Sequence, residues 1–482
     1  MQPLSILFLI LFYFAIILAT AFFTGKKYKE SNATFFTANK QASWYLVAFG
    51  MIGATLSGVT FISIPGKVES SQFSYFQLVL GYVLGYLVIG TVLLPLYYRL
   101  NLTSIYTYLN DRLGVYSYKT AAWFFIISKT IISNLRLLLV IDVLQTLVFT
   151  PLKIPFWVTV SATLLFIWLY TFKSGIKTII WTDTLQTFFM LASVAVSIYI
   201  VSDDLGLETI SLFSYVNNSD FSKIFFFENA LLPTYFWKQL ISGAFIAIAM
   251  TGLDQDMMQK NLSCKNLKEA QKNMFWFTIS LVIVNALFLL LGLLFTEYAL
   301  KNNIIAHQDQ LFPILANAHL GIVVSICFII GIIAAAYSSA DSALTSLTTS
   351  FCIDILEIEK KQPQANQIKI RKQIHFAFVL VSIGVILFFK YAIQDASIID
   401  KVLKFVGFTY GPLLGLYAFG LFTNWKIKDA YTPFVALIAV CGSILLNLNS
   451  EKWFAYSISF EIIIINGLLT FLGLILIRSQ KN

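Results

Sequence analysis

Charge is what this 482-residue sequence has least of: charged residues make up 12% of it and apolar types 58%, with a mean hydropathy of +0.79. A soluble domain carries about 25% charged residues. The chain therefore lacks the polar groups to cover a water-facing surface, and lipid must be the solvent for most of it. Disorder and a collagen-like fibre are excluded by the same composition. The four cysteines, Cys264, Cys327, Cys352 and Cys441, form no C-x-x-C pair, and three lie inside apolar stretches. They read as small buried hydrophobes, not as a disulfide scaffold or a thiolate metal site. The three histidines, His307, His319 and His375, are scattered near segment ends, so a metal cluster is not expected. The net charge of +9 is no nucleic-acid footprint, because the 33 Lys and Arg stand mostly in short clusters between apolar runs, as orientation signals do.

Apolar runs are what the sequence has in abundance. A spanning helix needs about 20 mostly apolar residues. Thirteen runs qualify, near 3–24, 45–65, 75–98, 118–148, 154–172, 177–201, 234–256, 272–297, 319–352, 374–392, 400–422, 430–448 and 456–477. The first has no basic leading region, is too long for a signal peptide and is followed by Lys26, Lys27 and Lys29, so it reads as an uncleaved helix. One alternating set of loops, with Lys260 counted in it, holds more than twice as many Lys and Arg as the other. The basic set faces the cytoplasm. The expectation is an integral protein of the plasma (inner) membrane, N-terminus outside and C-terminus cytoplasmic. The longest external segment, from Ser202 to Pro233, caps the outer face, and no linker suggests a second domain within 1–482.

A charge at mid-membrane costs about 2.5–3.5 kcal/mol on insertion scales, so it needs a partner, a water-filled cavity or an ion. Arg136 and Asp142 in the fourth run, Asp183 in the sixth and Asp341 in the ninth stand out. Arg136 and Asp142 are six residues apart and do not share a helix face, so each is expected to find its own partner. The second run is interrupted by Gly53-Ala-Thr55-Leu56-Ser57-Gly58-Val-Thr60 and meets Pro65-Gly66. Unwinding there would free carbonyls for a hard cation and hydroxyls for a solute; the same residues would also suit a close-packing seam. In the ninth run Ser338, Asp341, Ser342 and Thr345 fall at i, i+3, i+4 and i+7, one stripe of a helix. Oxygen-only ligation with a carboxylate suits a hard ion. The alternative is a polar seam bonded to Asp183 or Arg136.

At these residues the chain resembles the sodium:solute symporter family, whose fold is the LeuT-type five-plus-five inverted repeat. The resemblance rests on Leu56-Ser57-Gly58 with Pro65-Gly66, on Trp181-Thr-Asp183-Thr-Leu-Gln186, and on Ala335 with Ser338-Ser339 and Asp354-Ile355. It extends to Gly407-Phe-Thr-Tyr410-Gly411-Pro412-Leu-Leu-Gly415 with Gly420, and to Asp254-Gln255 with Gln259-Lys260. It implies an all-α polytopic membrane protein with an extra N-terminal helix at 3–24, core helices across 45–422 and accessory helices across 430–477. It also implies a sodium site made by the carbonyls of Gly53, Leu56 and Ala335 and the hydroxyls of Ser338 and Ser339. Some members hold a second sodium ion, which would map to Asp183, Asp341 and Ser342. The usual side chain at position 341 is neutral, so the acid here could strengthen that site, bind a proton or pair with a base.

The solute is expected beside the break, with Thr55, Ser57 and Thr60 from the broken helix and Phe76 and Gln77 from the next helix lining its site. Arg136 matches in placement the arginine that clamps the substrate carboxylate in the family's sialic acid transporters, and a guanidinium fork suits that task. A structural pair with Asp142 or Asp341 competes with that role. The function implied is sodium-coupled symport, with one or two Na+, of a small organic anion such as sialic acid by alternating access. A neutral sugar, inositol or an inorganic anion such as iodide are the alternatives. The partners implied are a small-molecule solute and the lipid bilayer, with no nucleic acid and no obligate protein. A channel would favour a repeated pore motif. An enzyme would need a nucleophile–base pair, and no intramembrane histidine stands near the motifs.

Overall fold

A backbone inside the bilayer core has no water to bond, and a helix satisfies its own polar groups within one segment. The computed structural model describes residues 2–26, 31–173, 175–207, 209–306, 308–392 and 398–479; Lys27, Lys29 and His307 lie outside them. Among the described residues the chain is helical, and its β pairing is confined to two isolated bridges, Ala42–Cys264 and Ile427–Arg478. In order come α1 (Pro3–Lys26), a bent pair α2 (Trp44–Thr55) and α3 (Gly58–Ser71), α4 (Tyr75–Arg99), α5 (Val115–Phe149) and α6 (Phe156–Thr171). These are followed by α7 (Ile176–Asp204), a second bent pair α8 (Phe236–Gly252) and α9 (Gln255–Leu262), and α10 (Leu267–Lys301). The last five are α11 (Gly321–Ile355), α12 (Gln364–Ala392), α13 (Ile398–Phe422), α14 (Thr432–Phe454) and α15 (Ile462–Leu476). Every apolar run expected from hydropathy coincides with one helix or one bent pair.

The two bent pairs are the departures from regularity, with angles of 60° for α2–α3 and 64° for α8–α9. In the first, Leu56 (φ −84°, ψ 81°) closes an inverse γ-turn in which the Ser57 amide bonds the Thr55 carbonyl at 3.1 Å. The helical ladder would have sent that amide to Gly53. In the second, a π-helical turn over Ile248–Gly252 precedes the break, and Asp254 caps α9 by accepting from the amides of Asp256 (2.8 Å) and Met257 (3.3 Å). This second break corrects the expectation of one uninterrupted helix over 234–256. The polar run Asp254-Gln255-Asp256 ends the apolar stretch, and the Asp254 side-chain cap starts a new helix there in a buried setting.

The core sits where α7 packs on α11 and α2, while α3 packs on α10 and α4 crosses α8. The α4–α8 crossing depends on Gly81 and Gly243: a Cβ on Gly81 would stand 2.1 Å from the Leu240 carbonyl oxygen, and one on Gly243 2.2 Å from that of Leu78. Small residues let the backbones meet where lipid offers no hydrophobic drive. At the other end of the bundle, His375 bonds Thr171 (2.9 Å) and Thr348 (2.8 Å), tying α12 to α6 and α11. That buried histidine is a packing residue, and no group of three His, Cys, Asp or Glu that could hold a metal occurs among the described residues.

Overpacking usually costs about 1–3 kcal/mol. Gly81→Val is expected to exceed that range because the obstacle is backbone. It should lower the unfolding temperature of the detergent-purified protein, read by intrinsic fluorescence, more than Gly90→Val, where a Cβ would meet nothing within 4 Å.

Candidate ion and solute site

The first break faces α11. Gly53 donates its N–H to Thr187 Oγ1 at 3.1 Å, and a Cβ there would lie 2.3 Å from Thr187 Oγ1 and 3.3 Å from Ser338 Oγ. Only a glycine lets α2 come this close. The carbonyl of Gly53, released by the γ-turn, thus belongs to the same small region as the Ser338 hydroxyl. Ser338 spends its own hydrogen on Asp183 Oδ1 at 2.6 Å, which turns its lone pairs away from the acid. The Ser339 hydroxyl makes no hydrogen bond to the described residues, and Ser339 lines the adjoining cavity. Ala335 precedes both serines by one turn of α11, and Gly53 of the broken helix packs against Ser338 of that turn.

The cavity beside this cluster has a volume of about 90 Å³ and is lined by Thr55, Ser57 and Thr60 of the break, Arg136 of α5 and Ser339 of α11, among others. Thr55 Oγ1 is buried and has no hydrogen-bond partner. Arg136 forms no hydrogen bond and no ion pair with any described residue. Both structural pairs that compete for it are otherwise engaged: Asp142 pairs with Lys390, and Asp341 accepts from the Tyr170 hydroxyl at 3.0 Å. On one side the cavity ends in a charged network. Lys129 bridges Asp254 (3.2 Å) and Asp256 (2.7 Å), and the Tyr410 hydroxyl donates to Asp254 at 2.6 Å. The network joins α5, α9 and α13.

The sequence profile of the sodium:solute symporter family matches residues 35–437. The chain belongs to this family. It is 25% identical over 459 residues to the sodium/sialic acid symporter NanT of Aliivibrio fischeri, covering 90% of this chain and 85% of that one. It is 24% identical over 419 residues to the sodium-coupled monocarboxylate transporter 2 of Mus musculus, covering 84% of this chain and 66% of that one. Among solved structures, the substrate-bound outward-open state of a Na+-coupled sialic acid symporter superposes with a TM-score of 0.82 at 19% identity, covering 99% of both chains. The fold is therefore the LeuT-type arrangement. The symporter uses sodium as its coupling ion and moves a small solute across a membrane; it is a transporter, not an enzyme.

Two lining expectations fail. Phe76 packs into the core outside the cavity, and Gln77 is fully buried. The Gln77 amide donates to the Thr234 carbonyl at 2.8 Å and accepts from the Phe226 amide at 3.1 Å, holding the outer segment in place. From α4 the cavity receives Tyr75, Tyr82 and Tyr86 instead. Those three are spaced at i, i+7 and i+11, so the signal was present in the helix period, but on a neighbouring phase. Asn285, Thr251, Lys129, Asp254 and Tyr410 also line the cavity and were not singled out as solute contacts. The largest correction concerns Lys260. It is no cytoplasmic loop lysine: its side chain is 1% exposed, and its ammonium stands 2.7 Å from Asp183 Oδ2. Where the resemblance puts a second sodium ion, at Asp183, Asp341 and Ser342, the structure places this ammonium, with the Ser342 hydroxyl 3.5 Å from the same Asp183 oxygen.

Asp142 lies outside the cavity lining, and its side chain is 46% exposed. Asp142→Asn removes a half-exposed pair worth about 0–1 kcal/mol. Its solute half-saturation in proteoliposome uptake should stay within about fivefold of the wild type. A loss as deep as that of Arg136→Ala would mean that the two residues act together.

Proposed function

We propose that the chain imports a sialic-acid-like organic anion together with Na+ by alternating access. Na+ binds to the Gly53, Leu56 and Ala335 carbonyls and the Ser338 and Ser339 hydroxyls, and Arg136 receives the solute carboxylate. The observation that carries this reading is the unpaired guanidinium in a cavity of hydroxyls. A charge at membrane depth without a partner is expensive, and a planar fork that recognises carboxylates bidentately is the group suited to an anion arriving from outside. Thr55, Ser57, Thr60, Tyr75, Tyr82 and Asn285 around it are suited to a polyhydroxylated molecule; buried polar groups discriminate against solutes that leave them unpaired. That supports a sugar acid over a simple monocarboxylate or iodide, and the A. fischeri relative bears the name of a sialic acid symporter.

In this cycle Na+ draws the broken helix to α11 and completes the solute site. Solute binding then permits the bundle to rock, which requires the Lys129–Asp254–Asp256–Tyr410 network to part and open the cavity on that side. The basic loops put the N-terminus outside and the C-terminus in the cytoplasm of the plasma membrane, so the network faces the cytoplasm. A tenfold sodium gradient supplies about 1.4 kcal/mol per ion; a membrane potential contributes about 2.3 kcal/mol per 100 mV only for each net charge that crosses.

Proteoliposomes with an inward Na+ gradient should accumulate labelled N-acetylneuraminate, and replacing Na+ by choline should abolish accumulation. Arg136→Ala should raise the half-saturation by roughly ten- to a hundredfold, since hydrogen bonds to a charged group are worth about 1.5–3 kcal/mol. If the variant keeps wild-type affinity for the same acid, the clamp assignment is wrong. If lactate or iodide is taken up and N-acetylneuraminate is not, the solute assignment is wrong.

A further inference from the structure

We infer that the Lys260 ammonium is the resident cation of the second cation pocket, so that each transport cycle binds and releases one sodium ion and not two. This rests on the reading that Na+ occupies the serine cluster between the broken helix and α11. The second pocket contains two fully buried carboxylates, Asp183 and Asp341, on α7 and α11. Its oxygens, with those of Ser338, Ser342 and Thr345, are a donor set for a hard cation. A cation is already there. Lys260 Nζ holds Asp183 Oδ2 at 2.7 Å, and the Ser338 hydroxyl holds Oδ1 at 2.6 Å, so both oxygens of the acid are engaged. Of this donor set, Asp341 Oδ1 and Thr345 Oγ1 are the members left buried and without hydrogen-bond partners. Two oxygens are far short of the shell a hard cation requires.

An ammonium is a compact point charge and can stand in for a metal cation against a carboxylate. It differs in one respect: it is tethered to α9. It cannot dissociate into the cytoplasm, and it returns with α9 in every cycle, so it carries no net charge across the membrane. Coupling one Na+ to a monoanionic solute then moves no net charge. A tenfold sodium gradient sustains about a tenfold accumulation, and the membrane potential adds nothing.

The test is equilibrium binding of radiolabelled Na+ to the purified wild type, Lys260→Met, Asp183→Asn/Lys260→Met and Ser339→Ala. The wild type is expected to bind one ion, and Lys260→Met two, because removing the ammonium opens a pocket with two carboxylates. The double variant removes both members of the pair, leaves no unpaired partner and is expected to bind one. It keeps the inference testable if Lys260→Met does not fold. Two ions in the wild type, one in a folded Lys260→Met, or none in the double variant would overturn the inference. Loss of the single ion in Ser339→Ala alone places it in the serine cluster. No saturable binding to the wild type would overturn the sodium-site reading itself, and this inference with it. In proteoliposomes, N-acetylneuraminate uptake by the wild type should be unchanged by a valinomycin-imposed potential, and potential-driven wild-type uptake would also overturn the inference.

Discussion

A helix cannot be broken in the middle of a membrane without exposing backbone that lipid will not solvate. The γ-turn at Leu56 does that in the symporter: it takes the Ser57 amide away from Gly53 and frees the Gly53 carbonyl from the helical ladder. The rest of the site follows from how that carbonyl is accommodated. Gly53 gives the close approach to Thr187 and Ser338, the stripe on α11 brings hydroxyls at helical spacing, and Asp183 takes the Ser338 hydrogen and so aims its lone pairs. A cation is the partner that this arrangement of acceptors favours, and the family to which the chain belongs couples transport to sodium.

Among the described residues, the charges around the site follow one rule with one exception. Lys260 is held by Asp183, Lys129 by Asp254 and Asp256, Asp142 by Lys390, and Asp341 by the Tyr170 hydroxyl. Pairs of this kind cost desolvation and repay little of it in stability; their value lies in fixing which helices meet. They join α9 to α7, α9 to α5, α5 to α12, and α11 to α6, so rocking must part or carry them. Arg136 is the exception. Its guanidinium lines the cavity with no hydrogen bond or ion pair to a described residue, and on the proposed reading it is the group that receives the solute carboxylate.

The helices were legible because lipid is an undemanding judge of sequence: it asks only for length and apolarity, and 58% apolar residues leave little doubt about where each run lies. The hydroxyl stripe of Ser338, Asp341, Ser342 and Thr345 was legible for a similar reason, since only one period places them together. What hydropathy could not convey is which neighbour each face meets. Phe76 and Gln77 were chosen on a helix whose cavity face is Tyr75, Tyr82 and Tyr86, because phase is set by tertiary packing. Lys260 read as a loop residue because a lysine at the end of an apolar run ordinarily is one. Only the bend at Leu253–Asp254 carries α9 back into the protein and the ammonium to Asp183. Gly252 and the Asp254 cap mark a helix end and a helix start, but they do not convey that the new helix turns back into the protein.

The central claim is that Na+ is held where the broken helix meets the two serines of α11. Its most direct measure is the sodium-dependent rise in unfolding temperature, since a ligand that binds the native state alone stabilises it by about 2.7 kcal/mol at a hundred times its dissociation constant. Exchanging KCl for NaCl should raise the unfolding temperature of the wild type and leave that of Ser338→Ala/Ser339→Ala unmoved. An equal rise in both proteins would contradict the account.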